Sequence, residues 1–266
     1  MTDEADPSGK EPKSASDFIG PIQAKSEPEL APETSPRRPR WRLVLAGLLA
    51  LALIPHLYLL ALWGLPVPGT LNMALQDGEV RRDWTRIEDV SPHLVRAVIG
   101  AEDSKFCAHS GIDWKATREQ LDAARASGDR PRRGASTITQ QTAKNVMFWN
   151  GGGYVRKAGE AYVATLIDTL WGKRRVMEVY LNVADWGDGL YGAQAAARAR
   201  FGKDASDLSE REAALLAAVL PSPHKWRVDP PGPYVSGRAG TLQARARVVD
   251  SEGLANCVLG PDGDGD

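Results

Sequence analysis

The sequence predicts a mostly α-helical domain carried behind one N-terminal membrane-spanning helix, with at most a minor β element. Three observations predict this. Residues 43–65, a run of 23, carry no formal charge; beyond them apolar residues recur at steps of three and four; and no stretch shows sustained period-two alternation. At 266 residues the chain can hold one large domain or two small ones. Its net charge of −1 excludes a uniformly basic nucleic-acid binder, and two cysteines exclude a disulfide scaffold or a four-cysteine zinc site.

Residues 1–36 are rich in proline, acids outnumber lysines, and no apolar period is present, so this stretch is expected to be a disordered tail. Arg37, Arg38, Arg40 and Arg42 form a basic collar, and the charge-free run follows at once. That run is slightly longer than the roughly 20 residues a helix needs to cross the hydrocarbon layer. Trp41 and Trp63 mark its ends, where indoles prefer the headgroup region. A signal peptide fits less well, because the run is long, no small-residue cleavage site follows it, and more than 36 residues precede it. Pro55 and His56 are the only blemishes. The collar predicts an N-terminus in the cytoplasm and a working domain outside it, tethered to the outer face of the membrane.

From Pro66 onward the pattern is helical. A helix over 92–101 is started by Ser91-Pro92 and carries Leu94, Val95, Val98 and Ile99 on one side. A second is expected over 135–149, ended by the triple glycine 151–153. Residues 154–170 place Val155, Tyr162, Val163, Leu166, Ile167 and Leu170 at helical steps, and 173–183 do the same with Val176, Val179, Tyr180 and Val183. Ser209 and Glu212 form a capping box before an alanine-rich helix that Pro221 stops. The domain is drawn as 66–230, with 231–266 as a C-terminal extension whose acidic end is disordered.

Two segments carry chemistry. Glu102-Asp103-Ser104-Lys105-Phe106-Cys107-Ala108-His109 closes the first helix, just after Ala97-Val98-Ile99-Gly100-Ala101. A carboxylate held there loses solvation, its pKa rises, and it becomes a competent base or acid near neutral pH. A solvated helix-end acid is the plainer reading of a bare Glu-Asp pair, and spacing within the segment does not choose between them. Residues 134–145, with Ser136, Thr137, Gln141 and Lys144, crowd hydroxyls, amides and an ammonium into a poor core helix but a good groove lining for an oxygen-rich ligand. Arg156 and Glu160 follow on one helix face, four residues apart, which a surface ion pair would also explain.

Together these residues resemble the peptidoglycan glycosyltransferase family. The resemblance runs through Glu102-Asp103-x-x-Phe106-x-x-His109-x-Gly111, Ser136-Thr137-Ile138-Thr139-Gln140-Gln141-x-x-Lys144-Asn145, Arg156-Lys157-x-x-Glu160, the segment 173–182 and the segment 189–203, in that order. It covers about residues 87–226, and the single anchor is similar to that of the monofunctional members. It implies a lysozyme-like fold and a polymerase of lipid II acting on the growing lipid-linked glycan. Glu102 would be the general base that takes the proton of the acceptor 4-hydroxyl, in an inverting displacement of undecaprenyl pyrophosphate. Glu160 would stand on the donor side near the pyrophosphate, through a divalent cation (Mg2+ or Mn2+). Ser136, Thr137, Gln141, Lys144 and Arg156 would bind donor sugar or phosphate, and Asp103, Phe106 and His109 would form the shell around Glu102. Other cell-wall synthases and division proteins are the expected protein partners, with the membrane; nucleic acid is not.

Two departures from the family pattern stand out: Ala135 in place of a second glycine, and Asp168 in place of glutamate, read as structural. Met147, Phe148, Trp149 and Tyr154 could form an apolar lip toward the bilayer or a core anchor, and Arg130, Arg132 and Arg133 could meet anionic headgroups or form a plain solvated loop. Ser222-x-x-Lys225 matches the nucleophile motif of penicillin-binding enzymes but lacks the partner motifs, so it is set aside. Cys107 and Cys257 are expected to be buried small thiols, although an oxidising compartment would permit a bridge. Two rival functions share some of these features: a lysozyme-like hydrolase or lytic transglycosylase that cuts glycan, and a non-catalytic membrane scaffold of the cell-wall machinery.

Overall fold

A computed structural model describes residues 40–128, 136–149, 151 and 153–260. The acidic tail, Arg37 and Arg38, the arginines 130, 132 and 133, the Gly134-Ala135 entry, the side chain of Tyr154 and the terminal aspartates lie outside them. The chain falls into two units, 1–50 and 51–266. Helix α1, Arg40–Ala61, is long and apolar enough to cross a membrane. In the first unit Leu43, Val44, Leu45, Leu48 and Leu49 all stand exposed along it, a surface suited to an apolar medium.

Within the second unit the end of α1 is no longer bare. Leu59 and Leu62 are buried, Trp171 Nε1 donates to the Leu59 carbonyl at 2.8 Å, and His56 Nε2 meets the Tyr162 hydroxyl at 2.7 Å. The helix stops at Ala61, four residues before the apolar run ends. Beyond it the Arg175 guanidinium donates to the carbonyls of Leu62 and Leu65.

The rest is helical, with a two-residue parallel pair, β1 (Arg81–Arg82) with β2 (Leu190–Tyr191), as its only strands among the described residues. Helix α2 (Leu71–Ala74) is followed by α3 (Pro92–Glu102), α4 (Trp114–Ser127) and α5 (Ile138–Met147). Helix α6 (Gly153–Val183) is broken at Gly172, whose φ of 72° separates the two helical stretches the sequence predicts. Then come α7 (Ala193–Phe201), α8 (Glu210–Val219), α9 (Pro233–Ser251) and α10 (Asn256–Leu259). The capping box at Ser209 and Glu212 forms as expected.

The helices pack in two groups: α5 lies on α6, and α3 is clasped by α8 and α9. Helix α9 lies past the boundary drawn at 230, yet it buries Val235, Ala239, Leu242, Ala246 and Val249 in the common core. It can lie close because α3 presents Gly100, where a Cβ would sit 3.2 Å from the Cβ of Arg245. The segment 173–182 serves mainly as a clamp. Fully buried Asn182 accepts from the Thr85 amide at 2.8 Å and donates to the Thr85 carbonyl at 2.7 Å, and Glu178 accepts from the Ile87 amide at 3.0 Å. Every polar atom of that side chain is satisfied, which is the condition for burying an amide. Asp168 is structural, paired with Lys173 at 2.7 Å and accepting from Thr139 at 3.2 Å.

The cysteine expectation is overturned. Cys107 and Cys257 form a disulfide with Cα atoms 5.6 Å apart, joining residues 150 apart in sequence. Sequence order gave no sign that α10 returns to the first motif. Removing the bridge with C107S/C257S is expected to destabilise the domain by about 3 kcal/mol. In a thermal melt in detergent this would be a fall of roughly 6–12 °C; an unchanged melting temperature would count against any stabilising role for the bridge.

Candidate active site

Helix α3 carries apolar residues to its last turn and ends on Glu102, so the carboxyl emerges half-buried from the core. Gln141 Nε2 donates to Glu102 Oε2 at 2.8 Å. Burial pushes the Glu102 pKa up and neighbouring Asp103 adds to this, while the Gln141 hydrogen bond and the Arg238 charge oppose it.

Asp103 fixes the register that brings Glu102 to Gln141. Its Oδ2 accepts from the Ile138 amide, the first of α5, at 3.0 Å, and its carboxylate meets His109 Nε2 at 3.0 and 3.1 Å. A carboxylate at a helix N-terminus is electrostatically favoured. Thr137 caps the same helix, accepting from the Gln140 amide at 3.1 Å and donating to the Gly111 carbonyl at 2.6 Å. Gly111 has φ +79°, and a Cβ there would come within 2.7 Å of the Ala164 carbonyl oxygen, so this crossing of the first motif over α6 admits only glycine. Phe106 is fully buried, with the Lys173 ammonium 4.6 Å from its ring centre.

Three adjoining clefts share lining residues and form one groove with Glu102 in it. The largest, about 470 Å³, has the end of α3 at one point, α5 and α6 along one side (Gln141, Lys144, Lys157, Glu160), and the loop after α8 with α9 along the other. A cleft of about 220 Å³ shares Glu102 and Ser136 with it and adds Asp103, Lys105 and Thr137. A third, of about 240 Å³, shares Gln141, Lys144 and Pro221 and is polar, with Asn72, Asn145, Asp185 and His224. Tyr191, which lines it, has its phenol pushed up to about 12 by burial and the Asp185 charge.

Cations crowd the α5–α6 side. Lys144 and Lys157 both have lowered pKa values, first because they are buried and then because Arg156 lies close to each. Lys157 donates to Ser136 at 2.8 Å and pairs with Glu160 at 3.1 Å; the Arg156 guanidinium pairs with Glu160 and donates to the Gly151 carbonyl. Glu160 itself is buried. One carboxylate thus serves two cations, and Lys144 makes no ion pair among the described residues. Positive groups held in mutual repulsion out of water are stabilised by an incoming anion.

A resident divalent cation does not fit this donor set. Both Glu160 oxygens already face cations, and no group of three His, Cys, Asp or Glu side chains comes together among the described residues.

Residues 69–249 match the transglycosylase family. The chain belongs to that family. The transglycosylase match reaches into α9, beyond the motif run read from sequence. Similar curated proteins are the biosynthetic peptidoglycan transglycosylases of Rhodospirillum centenum, 47% identical over 84% of this chain and 96% of that protein, and of Caulobacter vibrioides, 43% identical over 84% and 97%. That of Pseudomonas entomophila is 49% identical over 69% of this chain and 81% of its own.

In this transglycosylase, Glu102, Ser136, Gln141, Lys144 and Glu160 come together on the main cleft. Asp103 and Thr137 line only the smaller one, their polar atoms engaged as described. Phe106 and His109 stand behind Asp103, their rings edge to face at 6.4 Å, and Arg156 is held by Glu160. Phe148 anchors on α6 at Gly159, whereas Trp149 is exposed. Sequence reasoning missed Trp226, Tyr234 and Arg238, which line the cleft from the loop after α8 and from α9. Trp226 only closed the motif run, and no periodicity or spacing pointed to the other two. Lys157 stood inside a quoted motif and could have been found there.

Proposed function

We propose that this chain is a membrane-anchored peptidoglycan glycosyltransferase that polymerises lipid II into β-1,4-linked glycan. Glu102 takes the proton from the acceptor 4-hydroxyl as that oxygen attacks the donor's anomeric carbon. The bond from that carbon to the pyrophosphate breaks, and the lipid pyrophosphate leaves with the electron pair. Configuration inverts in one displacement, so the attacking oxygen lies between base and anomeric carbon, as the attacking water does in inverting glycosidases. Lys144, Lys157 and Arg156 receive the charge growing on the leaving group, and Glu160 holds the last two in place.

The observation that carries this reading is a half-buried carboxyl with a raised pKa in the same cleft as crowded, desolvated cations. A glycan-cutting enzyme needs the carboxyl but has no anionic leaving group for the cations to meet. The collar of Arg37, Arg38, Arg40 and Arg42 supports an orientation with the N-terminus in the cytoplasm and the cleft outside. Labelled lipid II added to the purified chain in detergent tests the reaction. Polymer that muramidase digests supports it, shortened glycan supports the hydrolase, and neither product supports the scaffold.

The pH dependence follows from the base. Glu102 acts only when ionised, and its pKa lies above the usual carboxylate value, so activity is lost on the acid side at a higher pH than an exposed glutamate would give. A pH–rate profile whose acid limb falls at ordinary carboxylate values would contradict Glu102 as the base.

A further inference from the structure

The side of the main cleft formed by α9 and the loop before it is chemically unlike the side formed by α5 and α6. Trp226 and Tyr234 lie with ring centres 4.7 Å apart at an interplanar angle of 40°, and Tyr234 is exposed. Both rings line the cleft that holds Glu102. Arg238, one helical turn from Tyr234, lines it as well. Its Nε is fixed by donation to the Ala218 carbonyl at 3.1 Å, and it forms no ion pair among the described residues. An aromatic pair offers faces to the C–H surface of a pyranose, and a pinned guanidinium offers paired donors to oxygen groups.

We propose that Trp226, Tyr234 and Arg238 form a substrate-binding wall that stacks an amino-sugar ring and donates from the guanidinium to the oxygen groups that the ring carries. The wall rests on the reading of this cleft as the site of a lipid-linked glycan. Its sugar can come from the acceptor or from the donor strand, both of which present the same chemistry. The cations of α5 and α6 receive the leaving pyrophosphate; the wall grips the saccharide itself.

The test uses the full chain in detergent carrying Glu102→Gln, so that nothing turns over. The probes are labelled lipid II and a lipid-linked tetrasaccharide capped at its terminal 4-hydroxyl, which can only donate. Tyr234→Ala and Trp226→Ala are expected to raise Kd on the order of tenfold. Loss confined to lipid II assigns the wall to the acceptor; loss for the capped probe assigns it to the donor strand. Arg238→Ala is expected to weaken binding similarly and Arg238→Lys to restore part of it, with unchanged melting temperatures. Unshifted Kd values for both probes in the Tyr234 variant, which removes only an exposed ring, would overturn the wall. Turnover by the native chain is followed in parallel. Turnover without a Kd shift rejects the wall, and a Kd shift without turnover rejects the proposed reaction while leaving the wall in place.

Discussion

Replacing Glu102 with glutamine is expected to lower lipid II polymerisation by ~10²–10⁴, the contribution of a positioned general base, without unfolding the domain. The amide keeps the shape and can still meet Gln141, but it cannot accept the hydroxyl proton. Stability should move the other way. The Glu102 pKa is raised in the fold, so the folded state holds this proton more tightly than the unfolded chain does. Its contribution is therefore favourable at acid pH and is lost as pH rises from the ordinary carboxylate value through the raised one. At neutral pH the ionised side chain is a cost, and the glutamine variant is expected to melt at the same temperature or higher. Near-normal turnover in that variant would remove Glu102 from the mechanism; a lowered melting temperature would make lost activity uninformative.

Lys144→Ala is expected to lower kcat by roughly 10²–10³, the scale seen when one preorganised donor to a developing anion is removed. Lys144 reaches the main cleft and the polar third cleft, and it lacks a partner among the described residues whose loss would disturb the fold. Its removal relieves burial of a charge and repulsion with Arg156 and Lys157, which outweigh the attraction of Asp185, so the protein should be no less stable. The effect belongs in kcat because the leaving group gains charge on the way to the transition state. A variant in which only KM rises would mean that Lys144 holds substrate and transition state equally.

Much of the fold was legible because some helices announce themselves. Helix α3 had a proline start and an apolar stripe, α8 had a capping box, and α6 kept its period up to a glycine that does break it. Helix α4 buries none of its residues, so no stripe could mark it. Helix α9 buries Val235, Ala239, Leu242, Ala246 and Val249 at steps of three and four, but Gly237, Gly240 and the exposed Ala244 and Val248 dilute that stripe along the chain. At the site, Glu102, Lys144 and Glu160 were found through motif order. That Asp103 serves the α5 amide, or that Thr137 is a cap, depends on how two segments meet in space. Arg238 enters the cleft through the packing of α9 on α3, information that no local pattern contains.

The disulfide has a consequence for biogenesis. With only two cysteines in the chain, there is a single intramolecular pairing, so oxidation cannot be scrambled and calls for an oxidant but no isomerase. Because the second cysteine is residue 257, in α10, the turn that follows Glu102 cannot be fastened until the chain has been made through α9 and α10. The bond thus registers that α10 has been made: a chain truncated before residue 257 has every motif of the cleft and lacks the fastening.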